Sequence, residues 1–307
     1  MIEHDREIIE TMSGPELIRL AQVMNVPFTK RTVKRSVMEE SIFEALVRLR
    51  NSSDSTPYTL KTPAIDISGM RKEFGRKVAV KNLELNVNPG EIVGLVGPNG
   101  AGKTTTLRVL TGIIKPTQGS VVVNGYRMDK NPIAAKMKIG YIPERPTCYP
   151  SLKVIEYLTF IARIYDVSRV DALLRIREYV NRFQLDEFLN TYIGTLSKGN
   201  LQRTLLTGIF VRDPPFILAL DEPIYGLDPR GAWSLKAHLK ELKDRGSAIL
   251  VSTHILEVAE ALCDRFYIMN DGDIVGQGTL PELKATNGGT KNLEEVFLTL
   301  TGGIPEE

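Results

Sequence analysis

Nine residues, Gly97-Pro-Asn-Gly-Ala-Gly-Lys-Thr-Thr105, restrict this chain more than any other stretch. They fit G-x-x-x-x-G-K-[ST], with Gly97, Gly102, Lys103 and Thr104 on the four fixed positions. The run Glu91-Ile-Val-Gly-Leu-Val96 reads as a buried strand and Thr104 to Leu110 as the first turns of a helix, the context such a loop needs. The glycines, Gly97, Gly100 and Gly102, let the chain curl. Backbone N–H groups in the loop, which also includes Pro98, Asn99, Ala101 and Thr105, then point inward at a phosphate chain, and the helix start adds partial positive charge. Lys103 is expected to reach the β- and γ-phosphates and the Thr104 hydroxyl to bind Mg2+.

A second stretch completes the chemistry. Phe216-Ile-Leu-Ala-Leu220 is an apolar strand ending in Asp221-Glu222. Opposite a phosphate loop, Asp221 can hold Mg2+ directly or through water, and Glu222 can orient and deprotonate an attacking water. Phosphoryl transfer asks for positioning and charge neutralisation more than covalent chemistry, so a lysine, a metal and one carboxylate suffice.

The remaining strands, Ser120–Gly125, Ile139–Ile142, Ala248–Val251 and Phe266–Met269, alternate with helical runs, which predicts a parallel sheet covered on both faces. Ala64–Met70 and Leu83–Val87 alternate apolar and polar residues and predict two strands of a half-exposed antiparallel part. Val154 to about Asn190 has helical spacing throughout and reads as an inserted helical subdomain, about 150–195. Leu293–Leu300 predicts an amphipathic helix.

Residues 1–50 read as a small all-α segment. Pro15–Met24 presents Leu17, Leu20, Ala21 and Met24 on one face with Ser13 as N-cap, and Val37–Leu49 presents Met38, Ile42, Ala45, Leu46 and Leu49. Between them lies the basic run Lys30-Arg-Thr-Val-Lys-Arg35, a pattern similar to small helical modules of the SAP type. Eight basic residues among the first 55 are offset by nine acidic ones, which favours a structural or partner-docking appendage over a nucleic-acid binder. The polar stretch 51–61 reads as a linker, 62–300 as the nucleotide-binding domain and 301–307 as a tail.

Composition narrows the class. The chain is 42% hydrophobic and 25% charged, enough to bury a globular core, and its net charge of +2 argues neither for nor against a polyanion partner. Cys148 and Cys263 have no metal or redox spacing. The charged opening, MIEHDREIIE, has no apolar core and is not a secretory signal. No run approaches the length needed to span a bilayer, so any membrane role is expected to work through another chain.

Three further motifs follow in order: Leu196-Ser-Lys-Gly-Asn-Leu-Gln-Arg203 before Asp221, Tyr225-Gly-Leu-Asp-Pro229 after it, and Ser252-Thr-His254 closing a strand. With them, residues 62–300 resemble the ATP-binding subunits of ABC transporters, most closely single-cassette exporter subunits whose permease is another chain. The resemblance implies an α/β P-loop NTPase of the ABC ATPase type, with a parallel-sheet core, an antiparallel β part and the helical insert. Phe74 matches the aromatic that stacks on adenine. Ser197, Lys198, Gly199 and Asn200 match the signature motif, which caps the ATP bound to a second cassette. Asp228 matches the loop crossing that dimer interface, and His254 the switch histidine that contacts the γ-phosphate.

The chain departs from the family pattern at Lys198 and Asn200 of the signature and at Tyr225. It also departs at Glu144, which stands where a glutamine usually approaches the metal or the attacking water. Lys103, Asp221, Glu222 and His254 are intact. The expectation is therefore a Mg2+-dependent ATPase, with ATP between two head-to-tail cassettes, driving a separate membrane permease from the cytoplasmic face of the membrane. The insert should face the membrane. The alternative is a soluble ATPase of the same type acting on nucleic acid or ribosomes. One cassette and no long coiled-coil insertion speak against it, so a nucleic-acid partner is not expected.

Overall fold

A computed structural model of the chain describes residues 2–24, 26, 34–52, 59–212, 216–288 and 292–302. Most of the expected linker 51–61, most of the tail 301–307, and all of the basic run but Lys34 and Arg35 lie outside the described residues. The chain divides into two compact units, residues 1–58 with 148–213, and residues 59–147 with 214–307.

The elements run in order α1 (Ile2–Thr11), α2 (Gly14–Val23), α3 (Arg35–Ser52), β1 (Ile65–Phe74), β2 (Lys77–Val87) and β3 (Glu91–Val96). Then come α4 (Lys103–Leu110), β4 (Gln118–Val123), β5 (Tyr126–Arg127), α5 (Pro132–Lys138) and β6 (Ile139–Ile142). The insert holds α6 (Val154–Ile164) and α7 (Arg169–Arg182), and α8 (Lys198–Phe210) follows it. The last stretch is β7 (Ile217–Asp221), α9 (Pro229–Asp244), β8 (Ala248–Thr253), α10 (Leu256–Leu262), β9 (Arg265–Asn270), β10 (Asp273–Gly278), α11 (Leu280–Thr286) and α12 (Leu293–Thr301).

The second unit carries two sheets. One has six strands in the order β10-β9-β3-β8-β7-β6, parallel except for the β10 edge. Its central strands β7 and β8 are buried along their whole length, as continuous apolar runs in a parallel sheet must be. The other sheet, β2-β1-β4-β5, is antiparallel, and the Ser120–Gly125 strand, expected in the parallel sheet, belongs to it as β4. Its first two strands run past the predicted limits at Met70 and Leu83 to a turn beside Phe74. Register shifts around Gly69, with φ +59°, break the period-two pattern on which the shorter estimate relied.

In the first unit, α2 starts at a capping box in which the Ser13 N–H donates to Glu16 Oε2 over 2.6 Å. Helix α1 was not read from the sequence. Its charged residues mask a narrow apolar edge, yet Ile8, Ile9 and Met12 beside its end are buried. The insert, read as one helical stretch, breaks at Asp166, with φ +53°, and restarts where Ser168 Oγ accepts from the Asp171 N–H. Leu17, Leu20, Ile42 and Leu46 of α2 and α3 share one core with Ile8, Ile9 and Met12 and with Leu174 of α7. The N-terminal segment therefore packs on the insert rather than standing alone.

Candidate active site

The phosphate loop joins β3 to α4. Gly97 is required by close approach, since a Cβ there would sit 2.1 Å from the Met269 carbonyl oxygen. Gly102, at the start of α4, has φ +115°, and its Cβ would meet the Ala79 carbonyl oxygen at 2.6 Å. Lys103 is buried, and its Nζ donates to the carbonyls of Gly97 (2.6 Å) and Pro98 (3.0 Å), bracing the loop from inside. Burial lowers its pKa, while Glu222, Asp221 and Glu144 oppose that shift.

Asp221 ends β7 and Glu222 follows it. Both are buried. Ser252 on the neighbouring β8 donates to Asp221 Oδ1, and Asp221 Oδ2 is buried with no hydrogen-bond partner. Burial raises the Asp221 pKa, the Ser252 and Thr104 hydroxyls pull it back, and Glu144 and Glu222 add repulsion. Glu222 takes φ +50°, a strained conformation for a residue with a side chain. Three donors hold it there. Thr253 Oγ1 gives to Oε2 (2.9 Å), and the His254 N–H (2.9 Å) and Nδ1 (2.6 Å) meet Oε1.

These groups open on one cavity of about 470 Å3, a size suited to a nucleotide. Asn99, Gly100, Gly102, Thr104 and Thr105 of the phosphate loop line it together with Asp221, Glu222 and Glu144. Phe74 lies at its edge, half exposed, with the Lys72 ammonium 4.8 Å from its ring centroid; it is not a core phenylalanine. Lys77 and Arg145 also line the cavity. Neither was singled out from the sequence, where a lone basic residue carries no positional signal. The donor set fits a hard divalent cation: the Thr104 hydroxyl, the orphaned Asp221 oxygen and Glu144 all offer oxygen ligands to the one cavity. Among the described residues no three acidic, His or Cys side chains form a ready-made cage, so phosphates and waters would have to complete the shell.

The signature stretch belongs to the helical unit. Ser197 caps α8, its Oγ accepting from the Asn200 N–H over 3.2 Å, which leaves the helix start and the Gly199 N–H at the surface; Lys198 is exposed. Asp228 caps α9, its Oδ1 accepting from the Gly231 N–H over 2.7 Å, and Tyr225 is exposed beside it.

Comparison with known proteins decides the class. A family model described as ABC transporter matches residues 80–225. The ABC-type transporter ATP-binding protein EcsA of Bacillus subtilis is 33% identical over 238 residues, 77% of this chain and 96% of that protein. The chain belongs to the ATP-binding subunits of ABC transporters. A solved ATP-binding subunit of an ABC transporter superposes with a TM-score of 0.75 at 32% identity, over 78% of this chain and 99% of that one. The ATP-binding cassette MJ0796, solved as a dimer in a post-hydrolysis state with ADP and Pi, gives a TM-score of 0.63 at 26% identity, over 70% and 98%. An ABC ATPase subunit is thus the fold and the function, and the nucleic-acid or ribosome alternative falls away. ATP hydrolysis is the family's activity. No helix among the described residues is long and apolar enough to cross a membrane.

Proposed function

We propose that this ABC subunit hydrolyses Mg·ATP between two copies arranged head to tail and drives a separate permease at the cytoplasmic face of the membrane. The observation that carries the reading is the clamp on Glu222, a carboxylate held by Thr253 and His254 on the cavity that contains the phosphate loop.

The roles proposed are those the family likeness implies, and the geometry supports them. Phe74 offers its open face to the base, and residues Gly97–Thr105 wrap the phosphates, with the Lys103 ammonium neutralising the β/γ charge. Thr104, Asp221 and Glu144 would hold the cation, which when bound supplies charge neutralisation at the β- and γ-oxygens. Glu222 takes the proton of the attacking water and aligns it in line with the γ-phosphorus. His254 keeps Glu222 in its strained conformation and, by the family likeness, contacts the γ-phosphate. Ser197, Lys198, Gly199 and Asn200 present a helix start to the ATP of the second copy, with Asp228 at the same interface. The dimeric cassette solved with ADP and Pi supports the two-copy arrangement by likeness. Tyr149, Phe160 and Tyr192, exposed aromatics of the helical unit, offer the permease an apolar contact.

The test is Glu222→Gln. The variant should bind ATP with near-normal affinity, lose at least a hundredfold in turnover, and accumulate as an ATP-bound dimer in size-exclusion chromatography. Normal turnover would remove Glu222 from the mechanism.

A further inference from the structure

Tyr141 has no place in the mechanism above and does not line the cavity, yet it sits on β6, beside the strand that carries Asp221. Its hydroxyl is buried without a hydrogen-bond partner. An orphaned hydroxyl costs on the order of 1–3 kcal/mol, so a phenylalanine would be the better residue if only packing mattered. The strand register explains what the hydroxyl meets. Tyr141 on β6 pairs with Ala219 on β7, and Asp221 lies two residues further along β7 on the same sheet face. On the other side of β7, Ser252 of β8 pairs with Asp221 and holds its Oδ1. Of the two strands beside β7, only β8 thus fastens Asp221, and the Thr104 hydroxyl of the phosphate loop also acts on it. The oxygen left over, Oδ2, is also buried without a hydrogen-bond partner, and both Asp221 and the Arg108 side chain act on the Tyr141 hydroxyl.

We propose that Tyr141 is a positioning residue for the cation site: its hydroxyl fixes the Asp221 carboxylate, directly or through one ordered water, in the orientation from which Oδ2 takes the cation. Ser252 and Tyr141 then form a two-sided brace, one from each neighbouring strand. Carboxylates that ligate metals are themselves hydrogen-bonded, and loss of such a partner weakens metal affinity by about 10–100-fold. The inference rests on the cation assignment proposed above.

The experiment is Tyr141→Phe in the full chain, with two equilibrium readouts. The first is the Mg2+ concentration that half-saturates the tightening of a fluorescent ATP analogue, against the baseline in EDTA. It should rise about tenfold or more, with the EDTA baseline unchanged. The second is the unfolding midpoint of the metal- and nucleotide-free protein, which should stay level or rise, because an orphaned hydroxyl has been removed. A lower midpoint with unchanged Mg2+ dependence would make Tyr141 a packing residue and overturn the inference, as would unchanged values of both. If the wild type itself bound the analogue without any Mg2+ dependence, the cation assignment would fail first, and this result would separate the two.

Discussion

His254 Nδ1 lies 2.6 Å from Glu222 Oε1, and the His254 N–H donates to that same oxygen over 2.9 Å. A histidine at a strand end thus grips a carboxylate that its own backbone strains, at φ +50°. Strain of about 1–3 kcal/mol persists only where neighbours over-determine the conformation, and it clusters at functional sites. Replacing the ring should release Glu222. His254→Ala is expected to lower phosphate release by about 10²–10⁴-fold while ATP affinity stays within a few-fold. Steady-state turnover beside equilibrium nucleotide binding checks this; unimpaired turnover would detach His254 from Glu222's task.

Asp221 gives a stability test with an unusual sign. Burial, first among its influences, raises its folded pKa above the ordinary 3.8. Such a carboxyl favours the folded state fully below that ordinary pKa, and the contribution is lost as pH climbs through the folded value. At neutral pH the metal-free protein therefore holds an undercompensated carboxylate. Asp221→Asn should stabilise the metal-free protein by about 1–3 kcal/mol. Addition of Mg2+ to the ADP-bound protein should raise the melting temperature of the wild type and leave the variant unmoved. Thermal unfolding in EDTA and in Mg2+ reads both, and a variant less stable in EDTA would contradict the account.

The Lys103 pKa is lowered by burial, against the pull of Glu222, Asp221 and Glu144. ATP binds the ammonium form, so its affinity should fall as pH rises through a value below the ordinary 10.5, approaching roughly tenfold per pH unit beyond it. Folding stability should move the other way in the same window, because the unfolded chain binds the proton more tightly there. Lys103→Arg removes the titration and should flatten the alkaline loss of affinity. A wild-type affinity that is flat up to the ordinary lysine range would refute the lowered pKa.

Much of this was legible in the sequence because it is local. The phosphate loop, the apolar strand ending in Asp221-Glu222, and Ser252-Thr-His254 each sit in one short run whose spacing carries the chemistry. The strands β3, β6, β7, β8 and β9 announced themselves as unbroken apolar runs. What was not legible depends on contacts between distant runs. Tyr141 is one of several residues in an apolar strand until β6 lies beside β7, and Lys77 and Arg145 acquire meaning only from the cavity they line. Helix α1 was hidden because its apolar edge is two or three residues wide, too narrow to show among the charges until α7 covers it. The break at Asp166 was missed because apolar spacing continues on either side of it.

The exposed aromatics of the helical unit give a prediction for the permease. Tyr149 and Phe160 pack edge to face, with ring centroids 5.8 Å apart, and both remain exposed. Phe160→Ala should leave ATP binding intact and sharply reduce recovery of a multi-span membrane protein in affinity purification from native membranes. Undiminished recovery would move the permease contact elsewhere.

One polar tie between the N-terminal helices and the insert runs through Arg177 of α7. Its Nη2 donates to the Thr11 carbonyl at the end of α1 (2.8 Å), while Nη1 meets Asp186 (2.5 Å) and approaches Glu16 of α2 (3.8 Å). Arginine suits this position because its planar fork serves several acceptors at once, which a lysine ammonium cannot reproduce. Hydrogen bonds from a charged group contribute about 1.5–3 kcal/mol each way they are lost, and Leu174 beside it is fully buried in the shared core. Arg177→Ala should therefore release α1 first, seen as loss of hydrogen-exchange protection in residues 2–12, with α2 and α3 less affected. Leu174→Ala should lower the stability of the whole unit by about 2–5 kcal/mol, because it leaves a cavity in the core that all the N-terminal helices share. If α1 kept its protection in Arg177→Ala, its hold on α7 would rest on the apolar contact alone, and Leu174→Ala would then be the variant that frees it.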